Sequence, residues 1–493
     1  MQFIGVDLGS SSVKVSVLDA SKGKILASAF SPKKEMPIDT PKKGWAEQDP
    51  ETWYRHFEIA LAECSNAESV RPDAIGAIGI SYQMHGLVAV DKEHKVIRPA
   101  IIWCDSRAVS IGDKAFEGIG LEYCRENLLN SPGNFTASKL AWLKANEPDN
   151  YKRIYKIMLP GDYIAMRLTG EISTTLSALS EGIFLDYKSG SLSEELMSYF
   201  GFDKNLIPEI KPVFSVQGIV RDSEALRLGL PKGVKVSYRA GDQPNNAASL
   251  NVFEPGDIAA SAGTSGVIYG VADKIIPDPL FRVNLFAHVN HTPDNLRLGI
   301  LACVNGTGIM NSWIKKLTGI ESYSMMNELA HNIEPGCGGL TLYPFGNGAE
   351  RLLENKEPGA SIRGINLNIH GPGHLCRAVQ ESIVYSFRYS LEIMEAMGMQ
   401  ARLIRAGKAN MFLSPLFGEI LASLAKVPIK LYNTDGSMGA ARAAAMGCGY
   451  YGSMDEAFAG LEVEAHIEPD SSLAGRYNDL YTEWKDGLTE MIK

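Results

Sequence analysis

Apolar residues open the chain as two short β-branched segments, Phe3 to Val6 and Val13 to Leu18, on either side of a glycine- and serine-rich break, which is the pattern of a hairpin. The spacing then lengthens. From Pro50 to Ala67 the apolar residues Trp53, Phe57, Ala60 and Leu61 recur at helical intervals, with Asp49 placed to cap and Pro50 at the first helical position. Residues Ala74 to Ser81 show no polar alternation, only isoleucine and small residues, so they read as a buried central strand that ends in a loop at Gln83-Met84-His85-Gly86. Val234 to Tyr238 reads as a further strand. A helix near Gly373 to Met397, a strand at Ala401 to Ala406 and a helix from Ser414 to Ala425 repeat the alternation, and Tyr477 to Lys493 reads as a solvated amphipathic helix. Strands alternating with helices predict an α/β fold.

The two halves of the chain echo one another. Val6 to Asp19 aligns with Ala260 to Asp273, matching Gly9 to Gly263, Ser11 to Ser265, Val13 to Val267, Val17 to Val271 and Asp19 to Asp273. Short Gly/Ser hairpins also look alike by chance, but the echo predicts a related hairpin in each half and a boundary near residue 250, giving domains 1–250 and 251–493. Asp7 becomes Ser261 and Lys14 becomes Ile268, so the two turns cannot do the same chemistry.

At 493 residues the chain exceeds the size one hydrophobic core supports, which agrees with two domains and a cleft between them. Lys plus Arg number 48 against 57 Asp plus Glu, a net charge of −9 that lacks the basic footprint of a nucleic-acid binder. The seven cysteines are scattered and form no Cys-x-x-Cys pair, against a disulfide framework or zinc site. The opening residues carry no basic-then-apolar leader, and no apolar run reaches membrane-spanning length, so a cytoplasmic protein without a membrane partner is expected.

Phosphate oxygens need convergent N–H donors, and turns of glycine and serine supply them with little side-chain obstruction. The Asp7-Leu8-Gly9-Ser10-Ser11-Ser12-Val13-Lys14 turn is one candidate, its alternative being a tight turn with a solvated Asp. Asp7 at the strand end suits a hard Mg²⁺ ion or its waters. Asp242, in Ala240-Gly241-Asp242-Gln243-Pro244-Asn245-Asn246, is placed either to accept a hydroxyl proton during phosphoryl transfer or to cap the following helix. The P-loop, the protein-kinase set and a Gly-x-Gly-x-x-Gly after the first strand are missing. His288 and His291 have no cysteine or acidic partner nearby to complete a metal site.

Taken together, these residues resemble the FGGY carbohydrate kinases of the actin, hexokinase and sugar-kinase superfamily. The resemblance rests on Asp7 to Ser11, Trp103-Cys104-Asp105-Ser106-Arg107, Asn134 to Leu143, Ala240 to Gln243, Ala262-Gly263-Thr264-Ser265-Gly266 and the stretch from Arg363 to Glu381. It implies two actin/hexokinase-like, ribonuclease H-like domains of similar topology with a cleft between them, whose closure excludes water. It also implies ATP and Mg²⁺ as cofactors and a small sugar as partner, with a homodimer as one possible assembly. Met84-His85-Gly86 is most similar to the xylulokinase members, implying phosphorylation of the C5 hydroxyl of D-xylulose. On that resemblance Asp242 is the base, and Met84, His85, Trp103, Asp105 and Gln243 form the sugar site. Asp7 orders the metal; Ser10, Ser11, Ser12, Lys14, Gly263, Thr264, Ser265, Gly266, Gly407 and Asn410 hold the nucleotide.

Two segments depart from the family pattern. Arg405-Ala406-Gly407-Lys408-Ala409-Asn410 lacks the first glycines of the adenosine turn, leaving Lys408 to meet either phosphate or solvent. Gln243-Pro244-Asn245-Asn246 replaces a direct Asp-Asn, leaving open which amide meets the sugar. A kinase for ribulose, gluconate or glycerol, and a non-catalytic regulator of the same fold, are the rival readings.

Overall fold

A computed structural model describes residues 1–493. The opening hairpin forms as expected, strands Gln2–Leu8 and Val13–Asp19 pairing antiparallel with Asp7 opposite Lys14 and Leu8 opposite Val13. It sits in a six-stranded sheet in the order Phe214–Ile219, Lys235–Gly241, Ile75–Tyr82, Gln2–Leu8, Val13–Asp19, Lys24–Ser31. Alternation sorts the side chains to two faces. Ile4, Val6 and Leu8 join a core with Trp53, Phe57, Ala60 and Leu61 of the helix Pro50–Ser65, which Asp49 caps by accepting the Glu51 N–H at 3.0 Å. Phe3, Leu18 and Ala77 face the other way, against Ala441, Ala444 and Ala445 of the helix Gly436–Gly447.

That second helix lies so close that side chains cannot intervene. A Cβ on Gly79 would stand 2.1 Å from the Ala440 carbonyl oxygen, and one on Gly5 would stand 1.8 Å from that of Ser437. Replacing Gly79 with valine forces the helix off the sheet. Overpacking costs about 1–3 kcal/mol where neighbours can shift, and here the obstacle is backbone. Gly79→Val is therefore expected to lower Tm by roughly 5 °C or more, or to prevent folding, as read by thermal denaturation.

The chain folds into two compact units. The first comprises Met1–Asn251, Phe286–Leu298 and Thr434–Leu461; the second comprises Val252–Leu285, Gly299–Asn433 and Glu462–Lys493. The chain first passes from one unit to the other between Asn251 and Val252. Two later segments belong with the first unit, and the glycine-mediated packing of Gly436–Gly447 on Gln2–Leu8 and Ile75–Tyr82 is the physical reason for the longer of them.

The second unit repeats the plan of the first. Its seven-stranded sheet runs Asn284–Ala287, Leu298–Val304, Gly266–Ala272, Asp257–Ala262, Leu403–Gly407, Ile429–Tyr432, Val463–Ile467. In each sheet an antiparallel hairpin is followed by two strands parallel to its first strand and then by an antiparallel edge strand. The echo between the halves thus marks a real structural repeat, with one change. The second hairpin pairs Ala262 with Gly266, so its turn is one residue shorter than the one between Leu8 and Val13, and Val267 rather than Ile268 matches Lys14. The tail forms the helix Ser471–Met491, which buries Tyr477, Tyr481, Trp484 and Leu488 along one stripe. No helix is long and apolar enough to cross a membrane.

Candidate active site

In the first unit three carboxylates gather where parallel strands end. Asp7, the last residue but one of the strand Gln2–Leu8, accepts the Ser81 hydroxyl at 2.7 Å. Asp242 follows the end of the strand Lys235–Gly241 as the first residue of the helix Asp242–Ser249, with Gly241 in the capping position. Asp435 caps the helix Gly436–Gly447, accepting the Met438 N–H at 3.0 Å and the Ser437 hydroxyl at 2.7 Å, and it pairs with Lys14. Burial, and then the charge of Asp7, push the Asp242 carboxyl up to about 7. Burial raises Asp7 as well, with Asp435 adding to the rise and the Ser81 hydrogen bond and Lys14 opposing it. Asp435 differs: against the effect of burial, Lys14 and the Ser437 and Met438 donors hold its carboxyl below the usual carboxylate range. The hard oxygens of Asp7 and Asp242, which resist ionisation on their own, fit a cation such as Mg²⁺.

Lys14, expected to meet phosphate, has its ammonium on Asp435. Its charge is partly spent inside the first unit. The turn beside it is held from outside: the Ser10 carbonyl accepts Gln48 Nε2 at 2.7 Å, and the Ser11 carbonyl accepts the Met36 N–H at 2.8 Å. Within the turn, the Gly9 N–H donates to the Ser12 carbonyl at 3.0 Å. With carbonyls engaged in this way, the turn is presented in a fixed shape.

The sugar-site candidates converge on the same end of this sheet. Met84 is buried, and a Cβ on Gly241 would stand 2.6 Å from its Cγ, so Met84 rests on the residue before Asp242. His85 has a φ of 60°, a left-handed value uncommon outside glycine. It is held there on three sides: its Nδ1 donates to the Glu181 carbonyl at 2.8 Å, its own carbonyl accepts Lys139 Nζ at 2.8 Å, and its ring meets Phe135 and Phe286 at 4.8 and 5.3 Å. Burial pulls the Lys139 ammonium down to about 7. Trp103 is exposed, with Nε1 3.4 Å from Ser10 Oγ, so an indole face stands beside the serine turn.

Asp105 and Asn245 are engaged within the fold, Asp105 in place of the direct sugar contact expected of it. Asp105 is fully buried: Oδ1 accepts the Arg107 N–H at 2.8 Å, Oδ2 accepts the Ala46 N–H at 2.5 Å, and the Arg107 guanidinium bridges both oxygens. Arg107 also reaches Glu47. With its acceptor positions filled, Asp105 anchors the loop that carries Trp103. Asn245 is committed too, its Nδ2 donating to the Gly436 carbonyl at 2.9 Å, whereas Gln243 is half-buried in the first turn after Asp242.

In the second unit a cavity of about 600 Å³ opens beside the shorter turn. Gly263 and Thr264 line it, as do Gly308, Asn311 and Ser312 at the start of the helix Gly308–Thr318, with Tyr323, Asn327 and Asn410. The turn and the helix are tied directly: the Gly308 N–H donates to the Gly263 carbonyl at 2.9 Å and the Ile309 N–H to that of Thr264 at 3.1 Å. Asn410 has a φ of 54° and its Nδ2 lies 3.6 Å from a Cβ built on Gly263. The N–H groups of Gly308 and Ile309 are spent on the turn and those of Met310 and Asn311 on the Thr307 carbonyl, so this helix start favours an anion through its dipole.

Ser265, Gly266 and Gly407 are not among the lining residues. Gly266 backs the turn against Phe387 and Thr307, and Gly407 ends its strand. Lys408 turns to Glu464 at 3.4 Å in a half-exposed ion pair. The helix start at Gly308 was missed from sequence, although Asn305-Gly306-Thr307-Gly308 is itself a glycine-rich turn before a helix.

Residues 2–248 match the N-terminal domain of the FGGY family of carbohydrate kinases, and residues 258–448 match its C-terminal domain. The chain belongs to the FGGY family of carbohydrate kinases. It is therefore a carbohydrate kinase with the two-domain actin/hexokinase-like fold, and ATP is its phosphoryl donor. The chain is 32% identical to the xylulose kinase of Lactococcus lactis, covering 98% of this chain and 95% of that one. It is 28% identical to that of Haemophilus influenzae, covering 99% and 100%. The crystal structure of xylulose kinase from Rhodospirillum rubrum superposes with a TM-score of 0.88 at 25% identity, covering 100% and 99%.

Proposed function

We propose that this FGGY kinase transfers the γ-phosphoryl group of ATP to the C5 hydroxyl of D-xylulose, giving D-xylulose 5-phosphate and ADP. The observation that carries the reading is the meeting of Met84 with Gly241, which brings the Met84-His85 pair beside Asp242 at one end of the sheet. The names of the full-length relatives support the same acceptor.

Asp242 takes the hydroxyl proton. Its raised affinity for protons suits a base near neutral pH, and general-base assistance contributes roughly 10²–10⁴-fold. Met84, His85 and Gln243 orient the acceptor, while Trp103 offers an apolar face to sugar C–H groups. The backbone of Ser10 to Ser12 and the Gly263-Thr264 turn hold phosphate, and Asn410, Asn311 and Ser312 frame the nucleoside. Asp7 would hold Mg²⁺ or its waters, with the ion supplying charge neutralisation to the transferring group. Asp105 and Lys14 act through the shape and charge of the loops around these groups.

An ADP-coupled assay over D-xylulose, D-ribulose, D-gluconate and glycerol tests the acceptor. The kcat/KM for D-xylulose is expected to exceed the others by at least about tenfold, a difference of ~1.4 kcal/mol in transition-state stabilisation. A preference for gluconate or glycerol would overturn the assignment.

A further inference from the structure

Glu181 stands among the sugar-site residues, yet nothing above gives its side chain a role. It ends the helix Leu176–Glu181 and is 1% exposed. Oε1 accepts the Tyr82 hydroxyl at 2.6 Å, and Tyr82 is the last residue of the strand leading to Met84 and His85. Its backbone carbonyl fixes the His85 ring. On the other side, a Cβ built on Gly241 would lie 3.0 Å from Oε2, so the carboxyl touches the residue before Asp242. The side chain is thus wedged between the two segments that carry the acceptor site.

Oε2 itself is buried and has no hydrogen-bond partner. An unsatisfied buried polar atom is costly, so a carboxyl oxygen held this way calls for an occupant. Arg239, on the strand that leads to Asp242, does not neutralise it, being committed to Asp162 at 3.1 Å, Gln217 at 2.7 Å and Ser173. Resting on the acceptor-site reading above, we propose that Glu181 is a specificity-determining residue, its Oε2 making a hydrogen bond to a sugar hydroxyl next to the one phosphorylated. Burial first, and the nearby charges of Asp242 and Asp162 after it, keep the proton on this carboxyl well above the usual carboxylate range. A neutral carboxyl with Oε1 engaged by Tyr82 has an O–H to donate from Oε2. Such a donor reads a neutral polyol.

The test compares the wild type with Glu181→Leu, Glu181→Gln and the double variant Tyr82→Phe/Glu181→Leu. The double variant removes both partners of the buried hydrogen bond and so guards against simple misfolding. Each is assayed on the sugar the wild type phosphorylates best and on that sugar's single-deoxy analogues, with ATP affinity and Tm as controls. Loss of a polar contact to substrate is expected to raise sugar KM about tenfold or more in both leucine variants, with the Kd for ATP unchanged. Glu181→Gln, which keeps an N–H donor at the Oε2 position, should restore KM to within about threefold. For the deoxy sugar lacking the contacted hydroxyl, the leucine penalty should vanish. An unchanged sugar KM in the double variant, or an equal penalty on every deoxy sugar, would overturn the proposal. Because the readout is a ratio on whichever sugar the wild type prefers, a preference for another sugar would refute the D-xylulose reading without touching this one.

Discussion

Asp242→Asn should lose sugar phosphorylation by about 10³-fold, within the 10²–10⁴ range of a general base, while its affinity for ATP changes little. The argument is one of position and environment. The carboxyl stands at the start of the helix Asp242–Ser249, close to Asp7 and beside Met84 across Gly241, and burial already makes its charged form unfavourable. A neutral amide of the same shape removes that unfavourable charge, so the variant should melt at the same temperature as the wild type or higher, a trade of stability against activity. Loss of activity with retained stability and nucleotide binding separates a missing base from a damaged fold. The check is kcat from the ADP-coupled assay alongside calorimetric ATP binding and thermal denaturation. Near-wild-type turnover would move the base elsewhere, with Asp7 and Asp435 the next candidates.

Gly308→Val should weaken ATP binding by about tenfold or more, equivalent to ~1.4 kcal/mol, while sparing sugar affinity. A Cβ at this position would lie 2.2 Å from the Gly263 carbonyl oxygen, the same atom that accepts the Gly308 N–H at 2.9 Å. Adding a side chain therefore breaks the tie between the phosphate turn and the helix start and narrows the cavity that Gly263, Thr264 and Ser312 line. Met84, His85 and Asp242 lie in the other compact unit, so their acceptor contacts should be unaffected. Isothermal titration with ATP and with sugar reads both quantities; an unchanged ATP Kd would show that nucleotide does not use this cavity.

Much of this architecture was legible in the chain. β-Branched runs broken by Gly/Ser turns specify hairpins locally, and the repeated pattern at Val6 and Ala260 disclosed the doubled fold because each copy carries its own turn chemistry. Asp242 was legible for a similar reason, as an acidic residue between a strand and a helix. Residues that depend on distant partners were hidden. Asp435 lies 421 residues from the Lys14 it neutralises, and Glu181 lies 99 residues from the Tyr82 hydroxyl it accepts. No periodicity reports such pairings. The same holds for the domain cut. The run Gly436 to Gly447 reads simply as a small-residue helix, and only the close approach of Gly5 and Gly79 shows that it belongs against the first sheet.

Asp105 and Lys14 illustrate a second limit. Their residue types suit a sugar hydroxyl and a phosphate, but Arg107 fills the oxygens of one and Asp435 takes the charge of the other. A charged side chain is available to a ligand only after its neighbours in the fold have been counted.

The most direct test of the whole account is the identity of the product. The purified enzyme, incubated with MgATP and D-xylulose, should yield a sugar phosphate whose phosphorus correlates with the C5 protons in a two-dimensional ³¹P–¹H spectrum, with one ADP formed per sugar consumed. Correlation to the C1 protons, or ADP formation without any sugar phosphate, would contradict it.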